Sequence, residues 1–165
     1  MNHRLAPYAI SLVILVLDRI SKYWIETRVT VWDTLVVVPN FFNIVHTQNR
    51  GMAFGLFAGA EGPWRTVILI GLAVMVLVFV GSLLLRTSDP QYGHWRARLA
   101  LSLVLGGAMG NLHDRIFRGG VTDFLEFYAG DFRWSAFNVA DSAITTGALL
   151  LALELFRSRR APVEA

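Results

Sequence analysis

The sequence predicts a membrane protein of the all-α class: a four-transmembrane-helix bundle, with a small extracytoplasmic β-sheet cradle after span one and an interfacial helix or flap between spans three and four. Three observations lead there. The 165-residue chain is 55% apolar with a mean hydropathy of +0.50, which is too apolar for an ordinary water-soluble domain and gives room for one compact unit. Four segments, about 7–25, 64–85, 97–117 and 137–156, meet the requirement of about 20 mostly apolar residues for crossing a bilayer core. Four of the five tryptophans, Trp24, Trp64, Trp95 and Trp134, fall at the ends of these segments, where an amphipathic ring prefers to sit. Residues 1–165 are therefore expected to form a single integral membrane domain, with a β-rich outer loop over about 26–63 and a second outer loop over about 118–136.

The chain has no cysteine, which excludes a thiol nucleophile, a disulfide framework and a thiolate metal site together. Its formal charge of +3 does not indicate nucleic acid, because the basic residues form no stripe with interleaved aromatics. Their distribution instead sets orientation. Arg4, Arg86, Arg96, Arg98, Arg157, Arg159 and Arg160 crowd the tails and the short loop between spans two and three, whereas the longer loops hold only Arg28, Arg50, Arg118 and Arg133. By the density of Lys and Arg, both termini are expected in the cytoplasm and the long loops outside.

Span one follows Asn2-His3-Arg4, as a cleaved leader does, but no small-residue cleavage site follows and the chain runs on into Asp18-Arg19-Ile20-Ser21-Lys22. It is read as a retained helix. Asp18 and Lys22, four apart, share a face and can pair, either to orient the helix or to serve function directly. In the next loop, Val31 to Val38 and Phe41 to Gln48 are rich in Val, Ile, Phe and Thr and are split by Pro39-Asn40, a pattern that predicts a small curved sheet against the membrane surface. Asn49-Arg50-Gly51 supplies a turn before Met52 to Phe57; Asn49 and Gly51 are candidate ligand contacts, since a turn side chain and a bare backbone approach closely. Span two is uniformly apolar and is assigned packing alone.

Span three carries Gly106, Gly107 and Gly110, which allow close helix approach, then Asn111 and Arg115 on one face, with His113 and Asp114 beside them. Asp114 next to Arg115 reads as a structural salt bridge. Gly119-Gly120 ends the helix and leads to Asp123, and the aromatic stretch from Leu125 to Trp134 is expected to lie in the interface as a short helix or flap. Span four opens with Asn138, and Asp141 follows on the same face.

Asp123 and Asp141 stand in strongly apolar sequence, where a charge at mid-bilayer costs about 2.5 to 3.5 kcal/mol. If they face each other, two carboxyls roughly 4 Å apart repel by about 4 kcal/mol at an effective dielectric of about 20, so one keeps its proton while the other ionises. Such a pair activates water as an aspartic peptidase does. Asn111, Asn138 and Arg115 would then hold the pair and the substrate backbone. From spacing alone, helix capping or ion pairing accounts for the two aspartates equally well. A metal site from His113, Asp114, Asp123 and Asp141 lacks HExxH and paired-histidine spacing, and Ser142 lies in no nucleophile elbow. A small proton- or ion-coupled transporter using the intramembrane Asp, Arg and Lys groups is the rival reading; the small size and the clustering of polar groups at one surface count against it.

The ordered set Asp18-x-x-x-Lys22, Asn49-x-Gly51-x-Ala53-Phe54, Gly106-Gly107-x-x-Gly110-Asn111-x-x-Asp114-Arg115, Val121-Thr122-Asp123-Phe124 and Phe137-Asn138-Val139-Ala140-Asp141 resembles the lipoprotein signal peptidase family, also called signal peptidase II. The resemblance spans nearly the whole chain between its tails. It implies an aspartic endopeptidase of the bacterial inner membrane with its site at the periplasmic face, Asp123 and Asp141 as catalytic pair, and Asn49, Gly51, Asn111, Arg115, Asn138, Ala140, Asp18 and Lys22 as binding or supporting residues. The implied substrate is a prolipoprotein carrying diacylglycerol on a cysteine, cut just before that cysteine. The implied partners are that substrate and membrane lipid. A monomer is expected, with no metal or other cofactor.

Overall fold

The computed structural model describes residues 5–51, 62–86 and 95–158. Helix α1 (Ala6–Arg28) begins with Pro7 in its first turn, where a missing N–H costs nothing, and ends where Val29 turns extended and donates its N–H to Ile25 O at 2.9 Å. Strands β1 (Thr34–Val38) and β2 (Phe42–Asn49) follow, joined through Asn40 at φ 59°, then helices α2 (Pro63–Arg86) and α3 (Trp95–Arg118). Strands β3 (Val121–Ala129) and β4 (Phe132–Arg133) lead into helix α4 (Val139–Ser158). Each expected span thus lies within one of the four helices to within a few residues. Of the expected turn and following stretch, Met52 to Phe57 lies outside the described residues.

Helix α3 is the centre of the bundle, with the other three packed on it. Close approach is possible because glycines replace side chains at the contacts. A Cβ on Gly106 would lie 2.6 Å from Ser11 O of α1, and one on Gly107 would collide with the Ala140 carbonyl of α4. Val80 and Leu84 of α2 bury against Leu101 and Val104 of α3. Away from these seams the helices present apolar residues outward, Val67, Met75, Val78 and Phe79 on α2 among them, an arrangement suited to lipid and not to water. Among the described residues, Trp64–Arg86 and Val139–Arg157 are long and apolar enough to cross a membrane. Helices α1 and α3, of 23 and 24 residues, are as long but carry charged groups, of which Asp18, Lys22 and Asp114 are turned inward and wholly buried.

The sheet departs from expectation in two ways. It is antiparallel in the order β1-β2-β3-β4, so it takes strands from both of the longer loops instead of standing on the loop after span one alone. The expected interfacial helix or flap within 118–136 is instead the hairpin β3–β4, turned at Gly130 with φ +57°. Val121-Thr122-Asp123-Phe124-Leu125 is rich in β-branched and aromatic residues, and the free edge of β2 satisfies backbone groups that an isolated interfacial helix would satisfy alone. Ile25 of α1, Val29 just after its end, Phe124 of β3 and, around them, Ile44, Leu125 and Val139 fasten the sheet to the bundle. His46 donates from Nδ1 to Val29 O at 2.6 Å in the same seam.

Candidate active site

The site lies where the sheet meets the ends of α3 and α4. Asp123, the third residue of β3, pairs across the ladder with Thr47 and is 2% exposed. Its Oδ1 accepts from Asn138 Nδ2 at 2.6 Å and its Oδ2 from Asn49 Nδ2 at 3.1 Å. Asn49 ends β2 and closes its own turn, accepting the Gly51 N–H on Oδ1 at 2.9 Å, which leaves its NH2 group free to face Asp123.

Asp141 comes from the first turn of α4. Asn138 caps that helix, and the two residues form a reciprocal box: Asp141 N–H donates to Asn138 Oδ1 at 2.9 Å, and Asn138 N–H donates to Asp141 Oδ2 at 3.3 Å. Asp141 Oδ1 accepts from Asn111 Nδ2 at 2.7 Å. A single asparagine therefore touches both carboxyls, holding Asp123 with its side-chain NH2 and Asp141 with its backbone N–H. Burial pushes the Asp123 carboxyl up to about 7, and the adjacent Asp141 charge pushes the same way; the bonds from Asn49 and Asn138 and the Lys22 charge pull against them.

The other expected residues surround this pair. Arg115 donates to Asn111 O at 3.3 Å and to Gly51 O at 3.4 Å, tying the turn after β2 to α3. Ala140, wholly buried, donates its N–H to Asp18 Oδ1 at 3.0 Å. Asp18 also pairs with Lys22 at 2.8 Å, as the four-residue spacing predicts. The expected Asp114–Arg115 salt bridge does not form. Consecutive helical residues point about 100° apart, so Asp114 turns into the bundle, where it pairs with Lys22 at 2.7 Å and with Arg19.

Beside Asp141 a groove of about 600 Å³ opens between α2, α3 and α4. Leu69, Leu72, Ala73 and Val76 line it from α2, Ala108 from α3, Ile144 from α4, and Trp134 and Phe137 from the segment before α4. Asn49, Asn111, Arg115 and Asp141 supply its polar edge. The assignment of span two to packing alone is thereby corrected. Its lining residues recur at i, i+3, i+4 and i+7, one helical face, but in a helix apolar all round that face carries no mark in the sequence.

A helical membrane fold in which one asparagine holds two carboxyls, one of them at the edge of an apolar groove, fits a membrane enzyme. Known proteins place it further. Residues 10–157 match the family described as Signal peptidase (SPase) II. The chain is 44% identical over 158 residues to a lipoprotein signal peptidase of Solibacter usitatus, covering 95% of this chain and 94% of that one. It is 41% identical over 168 residues to one of Serratia marcescens, covering 100% and 95%. A solved bacterial membrane enzyme, determined by the in meso method at 2.3 Å, superposes with a TM-score of 0.84 at 26% identity over 97% of this chain and 93% of the other. The chain belongs to the signal peptidase II family.

Proposed function

We propose that the chain is a four-span aspartic endopeptidase of the bacterial inner membrane, removing the signal peptide from diacylglyceryl-modified prolipoproteins by a cut just before the lipidated cysteine. The observation that carries this reading is the common hold of Asn138 on Asp123 and Asp141 at the edge of an apolar groove. Both termini face the cytoplasm, the sheet lies on the periplasmic side as a cradle, and the enzyme works as a monomer.

With its pKa raised to about 7, the Asp123 carboxyl keeps its proton in mild acid and gives it up as pH rises through neutrality. The ionised carboxyl takes a proton from a water molecule as its oxygen attacks the scissile carbonyl carbon. The protonated carboxyl hydrogen-bonds the carbonyl oxygen, which becomes the second hydroxyl of a gem-diol. A proton then passes to the peptide nitrogen, the C–N bond breaks, and the products are a carboxyl-terminated signal peptide and a free amino group on the lipidated cysteine. The groove, apolar along α2 and open between helices, suits a lipidated segment arriving sideways from the bilayer. Seating that segment places the scissile bond beside the acids, where orientation lowers the barrier.

Incubation of the purified protein with a diacylglyceryl precursor tests the reading, and a shorter product on a gel is the expected result. Chelators are expected to leave the rate unchanged; loss of cleavage with chelator and recovery with zinc establishes a metal mechanism instead. The dependence on pH has a defined sign. Raising pH strips the proton from Asp123, so kcat/KM is expected to fall on the alkaline side with an apparent pKa of about 7. A rate flat from pH 6 to pH 9 contradicts the shared proton.

A further inference from the structure

Behind the acid pair lies a second polar cluster that the reaction as proposed leaves without a role. Asp18, Lys22 and Asp114 are each 0% exposed. Lys22 Nζ lies 2.8 Å from Asp18 Oδ2, 2.7 Å from Asp114 Oδ2 and 3.1 Å from Asn111 Oδ1. An ammonium has three N–H donors and no acceptor; Lys22 hydrogen-bonds Asp18 Oδ2 and Asn111 Oδ1, while Asp114 Oδ2 is its ion-pair neighbour and takes no hydrogen bond among the described residues. Arg19 closes on Asp114 Oδ1, and Asp18 Oδ1 takes the Ala140 N–H. Two cations and two anions thus balance, leaving Arg115, whose guanidinium the Asp141 and Asp123 charges act on, opposite the acid pair.

Stability alone does not call for such a cluster, because a buried ion pair is often matched or bettered by apolar residues of the same volume. Its direction is more telling. Since Lys22 can only donate, its contact with Asn111 selects the amide oxygen. The Asn111 NH2 is then the end that faces Asp141, at 2.7 Å from Oδ1, and Asn138 Nδ2, at 3.4 Å from the same Asn111 oxygen, favours the same orientation. On the reading of Asp141 as one of the two catalytic acids, we propose that Lys22 is a positioning residue: it fixes the Asn111 amide with its NH2 toward Asp141 and so sets where that carboxyl meets water.

The test removes the donor without stranding a charge. Asp18→Asn with Lys22→Met takes away one charge of each sign, keeps an amide oxygen for the Ala140 N–H, and leaves the Arg19–Asp114 pair intact. This double variant is expected to fold, to hold KM for a diacylglyceryl precursor within about twofold, and to lose about 10- to 100-fold in kcat. The groups facing Lys22 are Asp18 on its own helix and Asp114 and Asn111 on α3; those facing Asp123 are Asp141, Asn138, Asn49 and the Lys22 charge. Because that charge favours ionised Asp123, the alkaline limb of kcat/KM is expected to move to higher pH in the variant, which mere loosening of the bundle does not produce.

Asp18→Asn with Lys22→Gln restores a donor but not the charge. It is expected to recover at least about fivefold in kcat over the Met variant while the limb stays displaced. Unchanged kcat in the Met variant, or a Gln variant no faster than Met, overturns the proposal. If neither accumulates as folded protein, the wild-type Asn111 side-chain amide decides by NMR: its protons are expected to shift as the acid pair titrates, and protons indifferent to that titration overturn the proposal. Asp141→Asn runs alongside. Normal cleavage by Asp141→Asn means that the acid-pair reading itself has failed, whereas an inactive Asp141→Asn beside an unaffected Met variant means that only the role of Lys22 has.

Discussion

Asp123→Asn and Asp141→Asn are each expected to lower cleavage of a diacylglyceryl precursor by about 10³-fold or more, since each removes one of two groups that must exchange protons with water and with the leaving nitrogen. Asparagine has nearly the same size, so the loss is expected without loss of fold. For Asp123 a second readout goes with the first. Its folded-state value of about 7 lies above the ordinary 3.8, so the folded protein holds that proton more tightly than the unfolded chain. The stability this contributes is fully present below the unfolded value and is lost as pH rises through about 7, a span of roughly three units or about 4 kcal/mol at most. Asp123→Asn does not titrate. Its melting temperature relative to wild type is therefore expected to rise between pH 5 and pH 8, when both are measured in detergent. Parallel melting profiles, or an active Asp123→Asn enzyme, remove this residue from the mechanism.

Gly110→Ala is expected to have the other large effect, although it adds only a methyl group. A Cβ there would lie 2.5 Å from Asp18 Oδ2 and 3.0 Å from its Cγ. Asp18 is wholly buried between Lys22 and the Ala140 N–H and has nowhere to retreat. Displacing it breaks a buried pair, with an expected loss of about 3 to 5 kcal/mol in stability, and shifts the start of α4 on which Asp141 stands. A displacement near 1 Å is enough for about a 10²-fold fall in rate. Gly71→Ala on α2 is the control, because a Cβ there meets nothing within 4 Å. Thermal unfolding and cleavage measured on both variants separate a local collision from a general intolerance of change at glycine; equal behaviour of the two would falsify the steric account.

The helices were legible because lipid imposes length and composition at once, and the four apolar segments carried both. Strands β1 and β2 were legible from their β-branched content on either side of Pro39-Asn40. Strand β3 was not, because what makes Val121–Ala129 a strand is the free edge of β2, a partner more than seventy residues earlier. The same non-locality hid the pairing of Asp114. Sequence adjacency favoured Arg115, whereas helix geometry sends the two side chains apart and brings Arg19 and Lys22 within reach. Asp123, Asp141, Asn111 and Asn138 were legible as polar residues that apolar surroundings do not tolerate without cause. Their convergence was carried by the ordered motifs and not by spacing. The α2 face that lines the groove had no signal to read, since every face of that helix is apolar.

Asp123 rides on a strand and Asp141 on a helix, and the asparagine that spans them sits at the joint. The two carboxyls thus belong to different layers of the molecule, joined at Asn138 and along the apolar seam of Ile25, Val29 and Phe124. On the reading of the two as a catalytic pair, any displacement of the sheet against the helices reaches both carboxyls through Asn138.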